Sequence, residues 1–278
     1  MGLIAQLSLI IAVYNKPEVL RLVLAACTRQ SFTDFEAIIA DDGSDTDVRD
    51  VITWARERAS FPIVHLWQED RGWRKNTMLN KAIRTSRTDY LVFIDGDCIP
   101  GRDFLYDHWN EREEHRLLLG RRVETSRRWS EALTLDRITS GEFEKLGWRE
   151  IRDGLAGQSL RVEDGLRLRN ALLRRLLLRN VTGILGSNFS VERKNLYAIN
   201  GFDEQYDGPG LGEDSDIQHR LSLIGVKGKS MRNLAIQYHV WHPLTQVSER
   251  SRERFKLVQS TSDPRCAQGL EKLQQASA

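Results

Sequence analysis

Cysteine is scarce in this chain: Cys27, Cys98 and Cys266 are the only three in 278 residues, far apart and odd in number. With no C-x-x-C pair among them, neither a zinc ligand set nor a disulfide framework is expected, and Cys27 falls on an apolar helical stripe. Proline is also rare, at six residues, and the twenty glycines show no period, which excludes collagen-like and proline-rich classes. Charge of one sign is missing too. A net charge of +2 makes the chain no polycation, so nucleic acid is not an expected partner. No run of eighteen apolar residues occurs, as a membrane-spanning helix would need. The apolar stretch 3–13 lacks a basic flank and a small-residue cleavage site, so it is not read as a secretory signal. These absences lead to the expectation of a cytoplasmic protein. No G-x-G-x-x-G follows that stretch either, which leaves a dinucleotide-dependent oxidoreductase unsupported.

What is present is an alternation. Length and a hydrophobic content of 40 % allow one large domain or two small ones with a sizeable core. Leu7–Val13 is a β-rich apolar run of the kind buried on both faces of a sheet. Asn15, Pro17 and Glu18 then suggest a helix start with a capping box, and Val19, Leu20, Val23, Leu24 and Cys27 supply its apolar stripe. Strands are expected at 35–40, 63–67 and 90–94, with helices after the second strand and over 75–84. Repeated βαβ units of this length imply a mostly parallel sheet with helices on both faces. Ligands of such sheets lie beyond the carboxyl ends of the strands, where Tyr14, Asp41 and Asp95 fall.

Residues 115–180 differ. They hold fifteen Arg and Lys against nine Asp and Glu, a local +6 that leaves −4 on the rest. This stretch reads as helical, and its charge suits either an anionic surface or a solvated helical face. Residues 182–245 resume a compact pattern, with a helix carrying Ile217, Leu221 and Ile224 closed by Gly225, then an apolar strand into His239-Val240-Trp241-His242. The last 25 or so residues are polar and read as a loosely attached tail.

Several clusters carry possible chemistry. Asp95-Gly96-Asp97 sets two carboxylates around one small residue at the end of a central strand, an arrangement suited to a hard divalent cation that shares its remaining positions with phosphate and water. Gly96 permits close backbone approach to a ligand. The competing reading is a surface turn. Asp41-Asp42-Gly43-Ser44 can accept hydrogen bonds from a base or a ribose, or cap a helix. Glu213-Asp214, after Gly208-Pro209-Gly210-Leu211-Gly212, can act as a general base or complement a helix dipole. His239 and His242 can ligate a metal or be ordinary surface histidines. Asp70-Arg71-Gly72-Trp73-Arg74-Lys75 offers cations to a diphosphate, or is a basic loop.

Taken in order, these residues resemble the family 2 glycosyltransferases of GT-A fold, and the later part is similar to the galactosyltransferase-like module of bacterial chondroitin polymerases. The likeness rests on residues 9–15, Asp41-Asp42-Gly43-Ser44, the Asp-x-Asp motif, Gly186-Ser187-Asn188, Gly201-Phe202-Asp203-Glu204 and Glu213-Asp214. It implies that Ala12, Tyr14 and Asp41 or Asp42 hold the base and ribose of a nucleotide-diphospho-sugar donor, UDP or dTDP. By the same likeness Asp95 and Gly96 meet ribose or sugar, Asp97 binds Mn²⁺ or Mg²⁺, and His242 matches a Val-x-His metal ligand, whereas His239 does not. Asp214 is implied as the base that deprotonates the acceptor hydroxyl, and Glu213 as a residue that orients the acceptor. The family's Arg-Asn is Leu79-Asn80 here, so the basic role is expected to pass to Arg74 or Lys75. The loop before Glu213 also lacks the tryptophan often seen there.

The resemblance implies an inverting glycosyltransferase acting on a glycan or lipid-linked glycan in surface polysaccharide synthesis. The basic middle segment adds the expectation of an anionic acceptor such as a lipopolysaccharide core, with peripheral contact to an anionic membrane face. The resemblance divides the chain into a donor-binding half (1–110), a basic, mainly helical insertion (111–181), an acceptor half (182–245) and the tail (246–278). Two rivals stand beside it: a non-catalytic nucleotide or sugar binder, and a haloacid-dehalogenase-like phosphatase. The latter normally carries its Asp-x-Asp on the first strand, not the fourth.

Overall fold

The computed structural model describes residues 5–177, 181–208, 213–243 and 248–272. Its first part is the expected alternation: β1 (Leu7–Val13), α1 (Pro17–Cys27), β2 (Phe35–Asp41), α2 (Thr46–Arg56), β3 (Ile63–Trp67), α3 (Lys75–Thr85) and β4 (Tyr90–Asp95). Next come β5 (Cys98–Pro100), α4 (Phe104–Glu111), β6 (Arg116–Leu119), β7 (Val123–Glu124), α5 (Arg127–Glu131), α6 (Leu135–Ser140), α7 (Trp148–Leu155) and α8 (Ala171–Leu177). The remainder is β8 (Phe189–Glu192), α9 (Arg193–Ala198), α10 (Glu213–Leu223), β9 (Lys227–Ser230), β10 (Gln237–His239) and α11 (Glu249–Gln259).

Seven strands form the central sheet in the order β3-β2-β1-β4-β8-β6-β9. Strands β1 to β4 pair in parallel, β8 runs antiparallel to both its neighbours, and β9 is parallel to β6. The two-residue period of β1 sorts its side chains between two cores. Leu7, Leu9, Ile11 and Val13 face the α1 and α2 residues Leu20, Val23, Val48 and Val51. Ile10 faces Met78 and Ala82 of α3, in a cluster that also takes Leu196 of α9 and Ile217 and Leu221 of α10. Both faces are therefore covered by helices, which is why β1, β2 and β4 read as nearly unbroken apolar runs. Gly225 closes α10 as expected, with a φ of +83°.

Three expectations need correction. Asn15 does not cap α1: it and Lys16 adopt positive φ of 54° and 58°, and Asn15 Oδ1 instead accepts the Asp45 N–H at 3.1 Å. Asparagine tolerates the left-handed region because its side chain bonds nearby backbone, and the resulting turn faces Tyr14 to Lys16 towards the strand ends. The basic stretch 111–181 is no insertion outside the fold, because it supplies β6 to the central sheet and β7 to a small second sheet, β5-β10-β7. Nor is the C-terminal part loose. Leu270 is buried in the α3 core, Arg254 pairs with Asp203, and Asn200 Nδ2 donates to the carbonyls of Cys266 and Glu271 at 2.7 and 2.8 Å. Anchoring through backbone carbonyls leaves no periodic signal in a sequence.

A buried polar network ties α4 to the sheet. His108 Nδ1 lies 2.8 Å from Ser190 Oγ, which in turn meets Tyr90 OH at 2.8 Å, and His108 Nε2 lies 3.0 Å from Asn188 Oδ1. Burial pulls the His108 pKa down to about 4, partly opposed by the bond to Asn188. The unfolded chain therefore binds a proton that the native state refuses. The stability gained from the neutral imidazole is present above about pH 6.5 and lost as pH falls towards 4. We expect about 3 kcal/mol of the acid loss to come from this side chain. In urea titrations, His108→Gln should show a flatter pH dependence between 7 and 4 than the parent; equal slopes would refute the assignment.

Candidate active site

A cleft of roughly 480 Å³ opens beyond the carboxyl ends of β1, β2 and β4, lined by Ala12 to Lys16, Asp42, Asp70, Gly72, Trp73, Lys75, Asp95 to Asp97 and His242. Its floor is set by the sheet register. Gly96 N donates to Ala12 O at 2.7 Å and Asp42 N to Val13 O at 2.9 Å, so the three strand ends meet. A side chain at residue 96 would bring its Cβ within 3.0 Å of Val13 Cγ2 and 3.1 Å of Ala12 O, which accounts for glycine between the two acids.

Asp97 is the point of convergence. Strand β5 pairs antiparallel with β10, Cys98 opposite His239, and Val240 N donates to Asp97 O at 2.9 Å. That pairing brings His239 Nε2 to 3.6 Å from Asp97 Oδ1 and His242 Nε2 to 3.3 Å from Asp97 Oδ2. Lys16 Nζ reaches Asp97 Oδ2 at 3.0 Å. Burial works against ionisation of Asp97, but the two histidines and Lys16 outweigh it and hold the carboxyl well below the usual range. Glu124 Oε2 lies 2.6 Å from His239 Nδ1, so the other ring nitrogen is turned towards Asp97. Asp97, His239 and His242 offer one ligand atom each, all within 4.8 Å of one another.

A second charged group adjoins the first. Lys75 Nζ bonds Asp95 Oδ1 at 2.7 Å; burial opposes its charge, yet Asp95, Glu213 and Asp214 raise its pKa. At the start of α10, Asp214 Oδ2 accepts Gly186 N and Oδ1 accepts Ser215 N, each at 2.8 Å. Burial nevertheless raises the Asp214 pKa. Glu213 is pushed up to about 8 by burial and by Asp214 and Asp95, with Lys75 opposing. Its Oε2 is buried and has no hydrogen-bond partner among the described residues.

Most residues singled out from the sequence come together here, but three do not behave as expected. Asp41 is only 1 % exposed, and its oxygens are taken by His65 Nε2 at 2.9 Å and Ser44 N at 2.8 Å. It braces the β2 end beneath the cleft, and Asp42 is the acid that lines it. Arg74 gives its backbone N–H to Asp42 Oδ2 at 2.6 Å and turns its guanidinium to the carbonyl of Glu69, so of these two residues Lys75, not Arg74, lines the cleft. His239, set aside by its spacing, belongs to the Asp97 cluster. Lys16 and Glu124 carried no sequence signal, and each acquires its place from a tertiary contact; Trp73 lies in the Asp70–Lys75 cluster, but nothing in that cluster marked it out from its neighbours. Pro209 to Gly212, the loop before Glu213, lies outside the described residues. Asn80, which keeps the family pattern where Leu79 departs from it, ties α3 to the Gly201-Phe202-Asp203-Glu204 turn, donating to Phe202 O at 2.8 Å and accepting Phe202 N at 2.9 Å.

The sequence model for glycosyl transferase family 2 matches residues 8–196, more than half of the chain and the part that builds β1 to β4 and β8. The chain belongs to glycosyl transferase family 2. A second model, described as the N-terminal domain of galactosyltransferase, matches residues 177–243, which carry Glu213, Asp214, His239 and His242. A chondroitin synthase of Escherichia coli is 25 % identical over 248 residues, covering 84 % of this chain but 34 % of that protein. The chain thus spans about a third of the length of that relative. Among solved structures, the mannosyltransferase PcManGT of Pyrobaculum calidifontis, in complex with GDP-Man and Mn²⁺, has a TM-score of 0.56 at 14 % identity, over 91 % of this chain and 60 % of that one. TarS of S. aureus, residues 1–349 in complex with UDP, has a TM-score of 0.53 at 16 % identity, over 86 % of this chain and 61 % of that one. These likenesses establish the GT-A fold for this family 2 member.

Proposed function

We propose that this chain transfers a glycosyl unit from a nucleotide-diphospho-sugar to a hydroxyl of a glycan acceptor, with inversion at the anomeric carbon. The observation that carries the reading is the convergence of Asp42, Asp95 and Asp97 from neighbouring strand ends on one cleft, with His239 and His242 beside Asp97. Tyr14 and Asp42 line the part of the cleft suited to a base and ribose, and Trp73 offers a stacking face. The PcManGT and TarS complexes with GDP-Man and UDP support a nucleotide ligand of this kind.

A carboxylate oxygen with two imidazole nitrogens, all within 4.8 Å, fits a divalent cation such as Mn²⁺ or Mg²⁺. When bound by Asp97, His242 and His239, such an ion would neutralise the charge of the diphosphate. Lys75 and Lys16 add fixed positive charge at the same mouth, favouring the diphosphate as it departs. Asp214 takes the proton of the acceptor hydroxyl while that oxygen attacks the anomeric carbon opposite the leaving group. The bond to the diphosphate oxygen breaks as the new one forms, which inverts the centre. Glu213, pushed up to about 8, stays largely protonated at neutral pH and donates a hydrogen bond to acceptor or sugar. Two adjacent carboxyls with environments that separate their protonation states suit such a division of labour.

A thermal-shift screen of UDP-, dTDP- and GDP-sugars, with and without Mn²⁺, tests the reading. A matching donor at a hundred times its Kd should stabilise the protein by about 2.7 kcal/mol, or roughly 5–10 °C, only when the metal is present. No shift with any sugar nucleotide would overturn it. The acceptor is expected among bacterial surface glycans, such as a lipopolysaccharide core or a capsular chain; incubation with the identified donor and de-capped core or capsule oligosaccharides distinguishes these by mass gain.

A further inference from the structure

Fifteen large apolar side chains are exposed among the described residues, and eight of them lie between residues 148 and 176. Helix α7 is built inside out. Trp148, Ile151 and Leu155, at the i, i+3, i+7 positions of one helical stripe, are 73, 41 and 80 % exposed. Its polar Asp153 is buried and accepts the Ser126 hydroxyl at 2.8 Å, and Gly154 lies against Val162. Beyond the helix, Leu160, Leu166 and three leucines of α8 are exposed as well.

This surface is held firmly. Leu160 exchanges backbone hydrogen bonds with Glu124 at 2.9 and 3.0 Å, and Leu168 N donates to Asn233 O at 2.9 Å. Asn233 Nδ2 also donates to the carbonyls of Glu163 and Leu166, each at 2.7 Å. Around it stand four exposed arginines, Arg149, Arg152, Arg161 and Arg169. Arg149 has no ion-pair partner among the described residues; Arg152, Arg161 and Arg169 lie 3.7, 4.0 and 3.4 Å from Asp153, Glu124 and Asp103, but their side chains stay more than half exposed, and such exposed pairs are weak enough to give way to a phosphate.

We propose that this face docks on an anionic lipid bilayer, Trp148, Ile151 and Leu155 entering the boundary between headgroups and acyl chains while the arginines meet lipid phosphates. Interleaved apolar and cationic side chains on an in-plane helix suit that interface. The core of a protein–protein contact is instead depleted in charge. A second copy of this chain fits poorly as the occupant, because a two-fold interface would set the same arginines against one another. Glu124 exchanges backbone hydrogen bonds with Leu160 and holds His239 Nδ1, which ties this face to the Asp97 cluster.

Co-sedimentation of the full chain with phosphatidylcholine vesicles, alone or carrying phosphatidylglycerol, tests this. Binding to the anionic vesicles should be at least ~10-fold tighter and should weaken with salt. Trp148→Ser/Ile151→Ser/Leu155→Ser should reduce that binding by ~10-fold or more, and Arg149→Gln/Arg152→Gln by about 5-fold, with melting temperature and nucleotide affinity unchanged. If the triple variant does not fold, Leu155→Ser alone is read for a partial loss. Equal binding to both vesicle types, parent affinity in the folded variants, or a parent dimer that these substitutions dissociate would each overturn the proposal.

Discussion

Replacing Asp214 by asparagine should lower turnover by about 10²–10⁴ while leaving donor affinity within about threefold of the parent. The amide keeps the size of the side chain and one oxygen to accept a backbone N–H, so the start of α10 should hold. What it loses is the capacity to take a proton from the attacking hydroxyl. The measurement is a pair: turnover with donor and acceptor, and nucleotide affinity by calorimetry. Turnover that survives the substitution would remove Asp214 from the chemistry. Glu213→Gln provides the contrast. Because Glu213 is expected to act as a neutral donor, the amide should preserve a large part of its role, and turnover should fall much less than in Asp214→Asn.

Asp97→Ala carries the second large effect. In the parent, Mn²⁺ should tighten donor binding, and chelation should reverse the gain. The variant should bind the nucleotide with the same affinity in the presence and absence of Mn²⁺, and its turnover should fall by about 10²–10³. The affinity comparison separates loss of an electrostatic site from general damage, because a misfolded cleft would lose metal-independent binding as well. A variant that still responds to Mn²⁺ as the parent does would exclude Asp97 as the ligand.

The first half of this fold is legible in the sequence because its strands are buried on both faces. Leu7–Val13 and Ile63–Trp67 fall where expected, and β2 and β4 each extend one residue further, to Asp41 and Asp95. The middle was not legible. β6 and β7 are only four and two residues long and sit among arginines, so neither shows a period. At the site, residue type and strand-end position sufficed to mark Asp42, Asp95 and Asp97. They did not separate Asp42, just past the end of β2, from Asp41, its last residue, since only the packing of His65 against Asp41 tells which of the two faces the cleft. His239 was named with His242 but set aside for a related reason. Its role depends on Cys98 pairing across from it, a contact between residues far apart in the chain.

That pairing also has a consequence for the order of events during synthesis. A chain that has emerged only as far as β5 already possesses Asp42, Asp95 and Asp97. Until β10 is made and docks on β5, it has neither histidine that completes the cluster. Loop closure over so long a separation is entropically costly and tends to come late. A newly made chain would therefore acquire its capacity to hold a cation at Asp97 among the last steps of its folding.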